Sequence, residues 1–347
     1  MVQTISEATS VADTLERMKQ LLGRLIPEAE LVLKAEVAYE INRLKKEKKA
    51  VILGHNYMEP ALFYSVPDHV GDSLGLARIA QKSEADRIVF CGVRFMAETA
   101  KILNPERMVL LPAEVAGCSL AASITAEDVR KLKEQYPGVP VVTYINTYAD
   151  VKAETDVCCT SSNASDIVRK LDSDTVICLP DEFLARNIAK ETGKNVIYPG
   201  SERTGKDDMI IWDGRCEVHE QFTVQDIENA RRQFPDTVVI AHPECPPEVV
   251  EAADYSGSTT AMTSYVKNSE AKRFLVLTEC AMGDNIAAEN PDKEMLRLCS
   301  IRCPHMNEIT LEDTLKSLRE DVYQIEVEEA LRLKAKKSLD RMLEMST

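Results

Sequence analysis

Short apolar runs alternate with longer segments of helical periodicity along most of this chain. The apolar runs are rich in Val, Ile and Leu, which is typical of strands that are buried on both faces. The segments between them place apolar residues three and four positions apart, as amphipathic helices do. Mainly helical segments also precede residue 50 and follow residue 310. The pattern predicts an α/β protein whose parallel sheets have helices on both faces.

The strand and helix pattern repeats three times. In each repeat an apolar run ends in two polar residues, a turn rich in Ser and Thr follows, a second apolar run comes next, and one cysteine closes the repeat. The closing cysteines are Cys118, Cys216 and Cys303, which lie 98 and 87 residues apart. Solenoid units have only about 20 to 50 residues, so this period fits a domain-sized unit. The sequence predicts three similar three-layer αβα domains around a shared centre.

We expect the three domains to occupy residues 1–127, 128–222 and 223–309. The first would include the N-terminal helices, and a C-terminal helix at residues 310–347 would pack on it. The second repeat is longer than the third, and its extra length is expected to form a surface loop at residues 200–208, which are rich in glycine and charged residues.

Composition is compatible with a large core and argues against two classes of partner. The chain has 347 residues, of which 44% are apolar, and a net charge of −15. Nucleic acids and anionic membranes both bind basic surfaces, so neither is expected as a main partner. No run approaches the roughly 20 apolar residues of a membrane span, and residues 1–7 lack the features of a signal peptide. We therefore expect a cytoplasmic protein.

Paired polar side chains close the first apolar run of each repeat. The pairs are His55 with Tyr57, Tyr144 with Asn146, and His242 with Glu244. Ligands of parallel sheets bind beyond the carboxyl ends of the strands, and residues i and i+2 of an extended segment point to the same side. A single pair could have a purely structural role. Three equivalent pairs predict one shared site for a small polar substrate.

The Ser- and Thr-rich turns each precede a predicted helix. Their candidate binding residues are Ser73, Ser161, Ser258 and Thr259. Hydroxyl and N–H groups at a helix N-terminus bind phosphate or carboxylate, although simple helix capping is the alternative for any one turn. Their recurrence after each polar strand end predicts a substrate with several anionic groups.

The ten cysteines of a protein expected in the cytoplasm are better explained as buried thiols and metal ligands than as disulfides. Those predicted to fill the core are Cys91, Cys158, Cys159 and Cys178. The three closing cysteines could hold a [4Fe-4S] cluster and leave one iron free to act as a Lewis acid. A zinc site that adds a histidine, such as His219 or His242, remains open. Cys245 and Cys280, which follow the strands, are further candidate ligands, and Cys299 competes with Cys303 as the third ligand.

Six motifs occur in order along the chain. They are Gly71-Asp72-Ser73-Leu74, Tyr144-Ile145-Asn146-Thr147, Cys159-Thr160-Ser161-Ser162-Asn163-Ala164, Cys216-Glu217-Val218-His219, His242-Pro243-Glu244-Cys245 and Gly257-Ser258-Thr259. Together they resemble the quinolinate synthase family, NadA, from about residue 50 to residue 318. The resemblance implies three homologous αβα domains in a pseudo-threefold arrangement around a central active site. It also implies a transferase-type enzyme that condenses iminoaspartate with dihydroxyacetone phosphate to quinolinate, releasing phosphate and two waters, in de novo NAD biosynthesis.

The resemblance further implies which residues act. Cys118, Cys216 and Cys303 would bind a [4Fe-4S] cluster. The residues that match substrate-binding positions are His55, Ser73, Tyr144, Asn146, Ser161, His219, His242, Ser258 and Thr259. Tyr57 and Glu244 also match substrate-contacting positions, and we expect them to be the catalytic residues because tautomerisation and two dehydrations require proton transfer. An aspartate-oxidising enzyme would supply the iminoaspartate.

One departure and two alternatives remain. Family members commonly have His-Tyr-Tyr-Gln where this chain has His55-Asn56-Tyr57-Met58, so only the first and third of these positions match. A zinc-dependent hydrolase or lyase is one alternative function, and metal analysis would separate it. A non-catalytic iron–sulfur sensor is the other, although the chain lacks the basic DNA-binding segment that such a sensor would more naturally carry.

Overall fold

Three parallel β-sheets flanked by helices make up the computed structural model of this protein, which describes residues 5–346. The strands within each sheet pair in parallel, and nearly all connections between them are helical. The fold is therefore the predicted one, with three αβα units.

The first unit has a four-stranded sheet in the order β2-β1-β3-β4. Its strands are β1 (Ala50–His55), β2 (His69–Gly71), β3 (Arg87–Cys91) and β4 (Met108–Leu110). The helices of this part of the chain are α1 (Val11–Leu22), α2 (Glu28–Glu47), α3 (Pro60–Ser65), α4 (Ser73–Gln81), α5 (Arg94–Leu103) and α6 (Ser119–Ala122). Two helices thus precede the first strand, as the sequence predicts.

The second unit has a five-stranded sheet in the order β6-β5-β7-β9-β8. Its strands are β5 (Val141–Tyr144), β6 (Val157–Cys159), β7 (Thr175–Leu179), β8 (Asn195–Ile197) and β9 (Asp208–Ile211). Its helices are α7 (Ala126–Gln135), α8 (Ala149–Ala153), α9 (Ala164–Lys170) and α10 (Glu182–Thr192). The extra length of this unit forms the predicted exposed loop, at residues 200–206, together with an edge strand, β8, that was not predicted.

The third unit has a four-stranded sheet in the order β11-β10-β12-β13. Its strands are β10 (Val238–Ala241), β11 (Tyr255–Ser256), β12 (Arg273–Leu277) and β13 (Glu294–Arg297). Its helices are α11 (Val224–Gln233), α12 (Pro247–Ala252), α13 (Thr259–Asn268) and α14 (Cys280–Glu289). The strand order matches that of the first unit, since in both the first strand lies between the second and the third.

Much of the apolar interior of units one and two forms one continuous cluster, whereas unit three has clusters of its own. The shared cluster includes Leu53 of β1, Val142 of β5 and Leu339 near the C-terminus. In unit three, Val239 and Ile240 of β10 belong to different clusters. They do so because successive side chains of a strand point to opposite faces of the sheet. Helices therefore cover both faces of this sheet, as the unbroken apolar runs predict.

The C-terminal segment forms two helices rather than the single helix predicted at residues 310–347. The first, α15 (Leu311–Glu320), packs on α2, and the second, α16 (Glu329–Met345), packs mainly on α8 and β6 of the second unit. Asp321 ends α15 in the left-handed conformation, with φ of 54°. The Ser338 hydroxyl of α16 donates to the Lys152 carbonyl at 2.9 Å. The segment thus contacts both units, and the predicted domain boundaries stay a prediction.

The longest helix in the described range is α2, with 20 residues. Its sequence contains many Glu, Lys and Arg residues, which a lipid-spanning helix excludes. Within residues 5–346, no helix combines the length and the apolar character that a membrane crossing requires.

One pair of cysteines forms a disulfide, so the preference for thiols over disulfides was wrong for this pair. Cys280, at the start of α14, is bonded to Cys299, which follows β13, and their Cα atoms are 5.2 Å apart. The remaining cysteines are free, and those predicted to fill the core are buried. The spacing alone gave no reason to select this pair, because the sheet brings the two segments together only in the folded chain.

Reducing the Cys280–Cys299 disulfide should lower the free energy of unfolding by about 3 kcal/mol, because the bond constrains a short loop of the unfolded chain. The residues are separated by 19 positions. The check is the midpoint of urea denaturation of metal-free protein with and without dithiothreitol. A double variant, Cys280→Ser with Cys299→Ser, is the control and should show no response to the reductant. An unchanged midpoint in the wild-type protein would mean that the bond adds no stability.

Candidate active site

One cavity lies where the three units meet, beyond the carboxyl ends of β1, β5 and β10. Its empty space, including the opening to solvent, is about 680 Å³. The predicted site residues on its wall are His55, Tyr57, Ser73, Cys118, Tyr144, Asn146, Ser161, Cys216, His219, His242, Glu244, Thr259 and Cys303. Of the predicted set, Ser258 alone lies outside this wall. The structure therefore gathers groups from three distant parts of the chain at one place.

His55 and His242 occupy equivalent positions and are held in the same way. The backbone N–H of Tyr57 donates to His55 Nδ1 at 3.2 Å, and that of Glu244 donates to His242 Nδ1 at 3.4 Å. An accepting Nδ1 leaves the proton of a neutral imidazole on Nε2. Burial lowers the pKa of His55 to about 4 and that of His242 to about 3. Near pH 7 both rings are neutral and carry an Nε2–H donor.

Acidification should destabilise the fold through these histidines. The pKa of buried His55 is about 4, against 6.5 for an ordinary histidine. Between these values only the unfolded chain takes up the proton, so stability falls as the pH drops below about 6.5. At pH 5 the loss through His55 is about 2 kcal/mol. Between pH 7 and pH 5, a His55→Gln variant should lose about 2 kcal/mol less unfolding free energy than the wild type.

The measurement is urea denaturation of the metal-free protein at the two pH values. His69→Gln is the matched control, because His69 is exposed on the first unit. That variant should lose as much stability on acidification as the wild type. Equal losses in the wild type and in His55→Gln would contradict the neutral state of His55.

Glu244 is a buried carboxylate among these polar groups. The Tyr144 hydroxyl donates to its Oε1, and His219 Nδ1 lies 3.0 Å from its Oε2. Burial opposes ionisation, but the electrostatic attraction of His219 and the hydrogen bond with it outweigh this effect and lower the pKa of Glu244 to about 2. Glu244 is therefore an anion near neutral pH, and it fixes the orientation of both neighbours.

Tyr57 belongs to a hydrogen-bonded cluster that leads to Glu244. Its hydroxyl oxygen is 2.5 Å from Thr278 Oγ1 and 3.4 Å from His219 Nε2. Thr278 Oγ1 is in turn 2.9 Å from His219 Nε2. Burial, followed by the nearby charge of Glu244, raises the pKa of Tyr57 and of Tyr144 well above the usual range. Both phenols keep their protons, and Tyr57, Thr278, His219 and Glu244 form a continuous path for a proton.

Hydroxyl groups reach the cavity from the turns of all three units. Ser73 is the first residue of α4, Thr259 is the first residue of α13, and Ser161 lies in the turn that leads into α9. The N-terminal end of a helix carries a partial positive charge and free N–H groups, which favour anions. These turns therefore form the anion-attracting part of the cavity wall. Asn146 also lies on the wall. Its side-chain amide oxygen, Oδ1, is buried and has no hydrogen-bond partner among residues 5–346.

Ser258 is the residue that caps α13, and its hydroxyl has partners within the protein. It accepts from the Ala261 backbone N–H at 3.4 Å and donates to Asp72 Oδ2 at 3.1 Å. Asp72 itself caps α4 by accepting from the Gly75 N–H at 2.9 Å. Ser258 therefore joins the turns of the third and first units, and its contact with a substrate stays a prediction.

The three predicted ligand cysteines face the cavity, one from each unit. Cys118, Cys216 and Cys303 are partly exposed, whereas the other free cysteines are buried. Burial raises the pKa of Cys118 to about 12, that of Cys303 to about 11 and that of Cys216 well above its usual range. Such thiols would release their protons on binding a metal, which makes binding depend on pH. The sulfur donors suit an iron–sulfur cluster or zinc.

A second set of donors overlaps with the cysteines. Cys216 Sγ, a ring nitrogen of His219 and a carboxylate oxygen of Glu244 all lie within 4.8 Å of one another. Sulfur, nitrogen and oxygen ligands at this separation are compatible with a single zinc ion. The site therefore offers two kinds of metal-binding arrangement that share one cysteine.

The repeat distinguishes Cys303 from Cys299. Seven residues after each closing cysteine comes a threonine that caps an α-helix; Thr125 caps α7, Thr223 caps α11 and Thr310 caps α15. Seven residues after Cys299 the chain has Met306, and the Cys299 sulfur is bonded to Cys280. Each of these threonines has an Asp three positions later, which is a helix-capping pattern. This pattern is visible in the sequence and distinguishes Cys303 from Cys299, which the spacing of the cysteines alone does not.

Some polar residues on the wall were not selected from the sequence. They are Asp72, Thr160 and Glu279. Asp72 and Thr160 adjoin serines that were selected, whereas Glu279 follows β12, the strand that the second apolar run of the third repeat forms. Burial raises the pKa of Glu279 to about 7, although the Ala281 N–H opposes the shift. It lies outside the polar pairs that follow the first apolar run of each repeat, but the chain after β12 also reaches this cavity.

Together the fold and the cavity define an α/β enzyme of three similar units that share one active site, with a thiol from each. Residues 39–344 match the sequence model of the family described as quinolinate synthetase A protein. The chain belongs to this family.

Several quinolinate synthases are similar to this chain over most of its length. It is 48% identical to the quinolinate synthase of Agrobacterium fabrum over 342 residues, which cover 99% of this chain and 94% of that protein. It is 50% identical to quinolinate synthase 2 of Mesorhizobium japonicum over 320 residues, which cover 92% of this chain and 94% of that protein. It is also 50% identical to the quinolinate synthase of Xylella fastidiosa over 303 residues, which cover 87% and 85%.

Proposed function

We propose that this protein is a quinolinate synthase that condenses iminoaspartate with dihydroxyacetone phosphate in de novo NAD biosynthesis. The reaction releases phosphate and two waters, so its site must bind several anionic groups and move protons. The supporting observation is one cavity on which neutral imidazoles, hydroxyls of helix N-termini and three thiols converge. The names of the relatives point to the same activity.

We propose Cys118, Cys216 and Cys303 as the ligands of a [4Fe-4S] cluster. One thiol comes from each unit, and these three are the free cysteines that are partly exposed. Three thiolates leave one iron of a cubane without a protein ligand. The bound cluster would supply a Lewis acid that assists the loss of water.

The phosphate and carboxylates of the substrates would bind at the turns of the three units. Ser73, Ser161 and Thr259 carry hydroxyls at or near helix N-termini, where N–H groups and the helix dipole attract anions. His55 and His242 would add Nε2–H donors. Because both rings are already neutral near pH 7, their hydrogen bonds do not depend on a protonation step.

Proton transfer would use Tyr57 and Glu244. The tautomerisation and the two dehydrations each require a proton to move with bond cleavage. Tyr57 keeps its proton and can donate it at its hydroxyl, while Thr278 and His219 link that oxygen to Glu244. The ionised Glu244 would stabilise a positive charge on His219 while the proton moves. It also holds the Tyr144 hydroxyl in place.

Anaerobic purification with iron, sulfide and quinolinate assays tests the function. We expect about four iron and four sulfide per chain and formation of quinolinate only with both substrates. An aspartate-oxidising enzyme would generate iminoaspartate in the assay, and we propose such an enzyme as its supplier in the cytoplasm. A cluster-containing protein that forms no quinolinate would refute the activity and leave the sensor alternative.

The overlapping donor set supports a second candidate, a zinc-dependent hydrolase or lyase. Cys216, His219 and Glu244 would bind the ion. This alternative leaves Cys118 and Cys303 without a role. Metal analysis separates the two, since zinc at one per chain without sulfide would favour the hydrolase or lyase.

A further inference from the structure

Glu279 is a buried carboxylate of the cavity wall that the proposed reaction does not yet use. It follows β12 by two residues and caps α14, and its side chain is 1% exposed. Its Oε2 accepts a hydrogen bond from the Ala281 N–H at 2.6 Å. Its Oε1 is buried and has no hydrogen-bond partner among residues 5–346. A buried acceptor without a partner destabilises the fold, so one on a cavity wall indicates a ligand that supplies the missing donor.

The equivalent residues of the other units show what is particular to Glu279. Val93 caps α5, also on the cavity wall, and has no polar side-chain atom. Asp181 caps α10, is 2% exposed and also has one buried oxygen without a partner, but it is not among the residues that line the cavity. Among these three equivalent helix-capping residues, Glu279 is therefore the one that places a carboxylate on the cavity wall.

The charge of Glu279 indicates which part of a ligand it can bind. In its ionised form Glu279 repels phosphate and carboxylate groups, which the hydroxyl-bearing turns attract instead. What Glu279 can hold is a part of the ligand that carries a hydrogen on oxygen or nitrogen. The hydroxyl of a triose phosphate and the nitrogen of an amino- or imino-dicarboxylate are the two sources that fit.

We propose that Glu279 binds the substrate directly, with Oε1 accepting a hydrogen bond from a hydroxyl or nitrogen-bound hydrogen. The identity of that substrate rests on the proposed function. Glu279 divides the wall into two chemically different regions, because the turns of the three units receive the anionic groups and the segment that follows β12 receives the donor group. It would thereby fix the orientation in which the substrate lies.

Two pairs of matched ligands test this role on anaerobically purified, cluster-containing protein. Dihydroxyacetone phosphate is compared with acetonyl phosphate, which lacks the hydroxyl, and aspartate is compared with succinate, which lacks the nitrogen. Isothermal titration gives the Kd of each ligand. If the hydroxyl is the donor, the wild type should prefer dihydroxyacetone phosphate about tenfold or more. If the nitrogen is the donor, that preference should appear in the second pair.

Glu279→Gln is the test variant, since its amide can keep the bond to the Ala281 N–H only by turning its N–H₂ toward the ligand. It should abolish the preference for aspartate if the nitrogen is the donor, because an ammonium group cannot accept from that N–H₂ group. A hydroxyl can accept as well as donate, so Glu279→Met, which has similar length and no polar group that needs a partner, decides the first pair and should abolish the preference in either pair. Asp181→Asn is the matched control at the equivalent cap, and it should keep the wild-type preference.

The outcomes separate this inference from the function on which it rests. Loss of preference in the first pair assigns the hydroxyl, and loss in the second assigns the nitrogen. If the wild type forms quinolinate and both Glu279 variants keep its preferences, or if it has no preference in either pair, Glu279 does not bind the substrate. If the wild type forms no quinolinate, the proposed function itself fails. Thermal unfolding followed by circular dichroism checks that each variant is folded.

Discussion

Glu244→Gln should reduce quinolinate formation by a factor of about a hundred or more while leaving the iron and sulfide content unchanged. Glu244 is an anion with a pKa of about 2, and it is hydrogen-bonded to His219 and to Tyr144. The amide has nearly the same shape but no charge. It cannot stabilise a positive His219, and its N–H₂ group would face a hydrogen-bond donor.

Steady-state assays on anaerobically purified protein give kcat and KM, and iron analysis gives the cluster content. Glu220→Gln is the matched control, because Glu220 adjoins His219 in the sequence but is exposed. That variant should retain wild-type turnover. If Glu244→Gln turns over at a near-normal rate, Glu244 has no part in proton transfer and only a structural role remains for it.

If the proposed iron–sulfur cluster is bound as described, replacing any one of Cys118, Cys216 and Cys303 by Ala should remove it and abolish activity. A cubane held by three thiolates has no spare protein ligand, so the loss of one thiol leaves a second iron without a protein ligand. Iron and sulfide analysis of anaerobically purified protein, together with its visible absorption spectrum, measures the loss.

Cys158→Ala is the control for the cysteine series, since Cys158 is fully buried and its thiol contacts Ser338 away from the cavity. It should keep its iron. Cys299→Ala tests the competing assignment. Full iron content in Cys303→Ala together with loss in Cys299→Ala would transfer the role of third ligand to Cys299.

The sequence was sufficient to predict the fold class, because each repeat contains a local pattern that its own strands and helices obey. The polar strand ends were predictable for the same reason. His55, Tyr144 and His242 follow buried apolar runs, and parallel strands of one sheet end at the same edge. Their convergence on one cavity needed only the further assumption that the three units face a common centre.

The features that were not predictable depend on contacts between distant segments. The Cys280–Cys299 disulfide requires the start of α14 to meet the chain after β13. The hydrogen bond that the Ser258 hydroxyl donates to Asp72 joins the turns of two different units. The acceptor at Glu279 is noticeable only because the fold buries one oxygen and leaves it without a partner.

The division of one cavity among three similar units has a consequence for how a ligand can be oriented. Three identical units would surround their axis with identical groups, and an asymmetric molecule would bind in three equivalent poses. In this chain the equivalent ends of β1, β5 and β10 carry His55, Tyr144 and His242. Of the residues that follow β3, β7 and β12 at equivalent positions, only Glu279 adds a carboxylate to the wall. Because the three units belong to one chain, their equivalent positions can carry different residues, so a nearly symmetric framework can select a single pose.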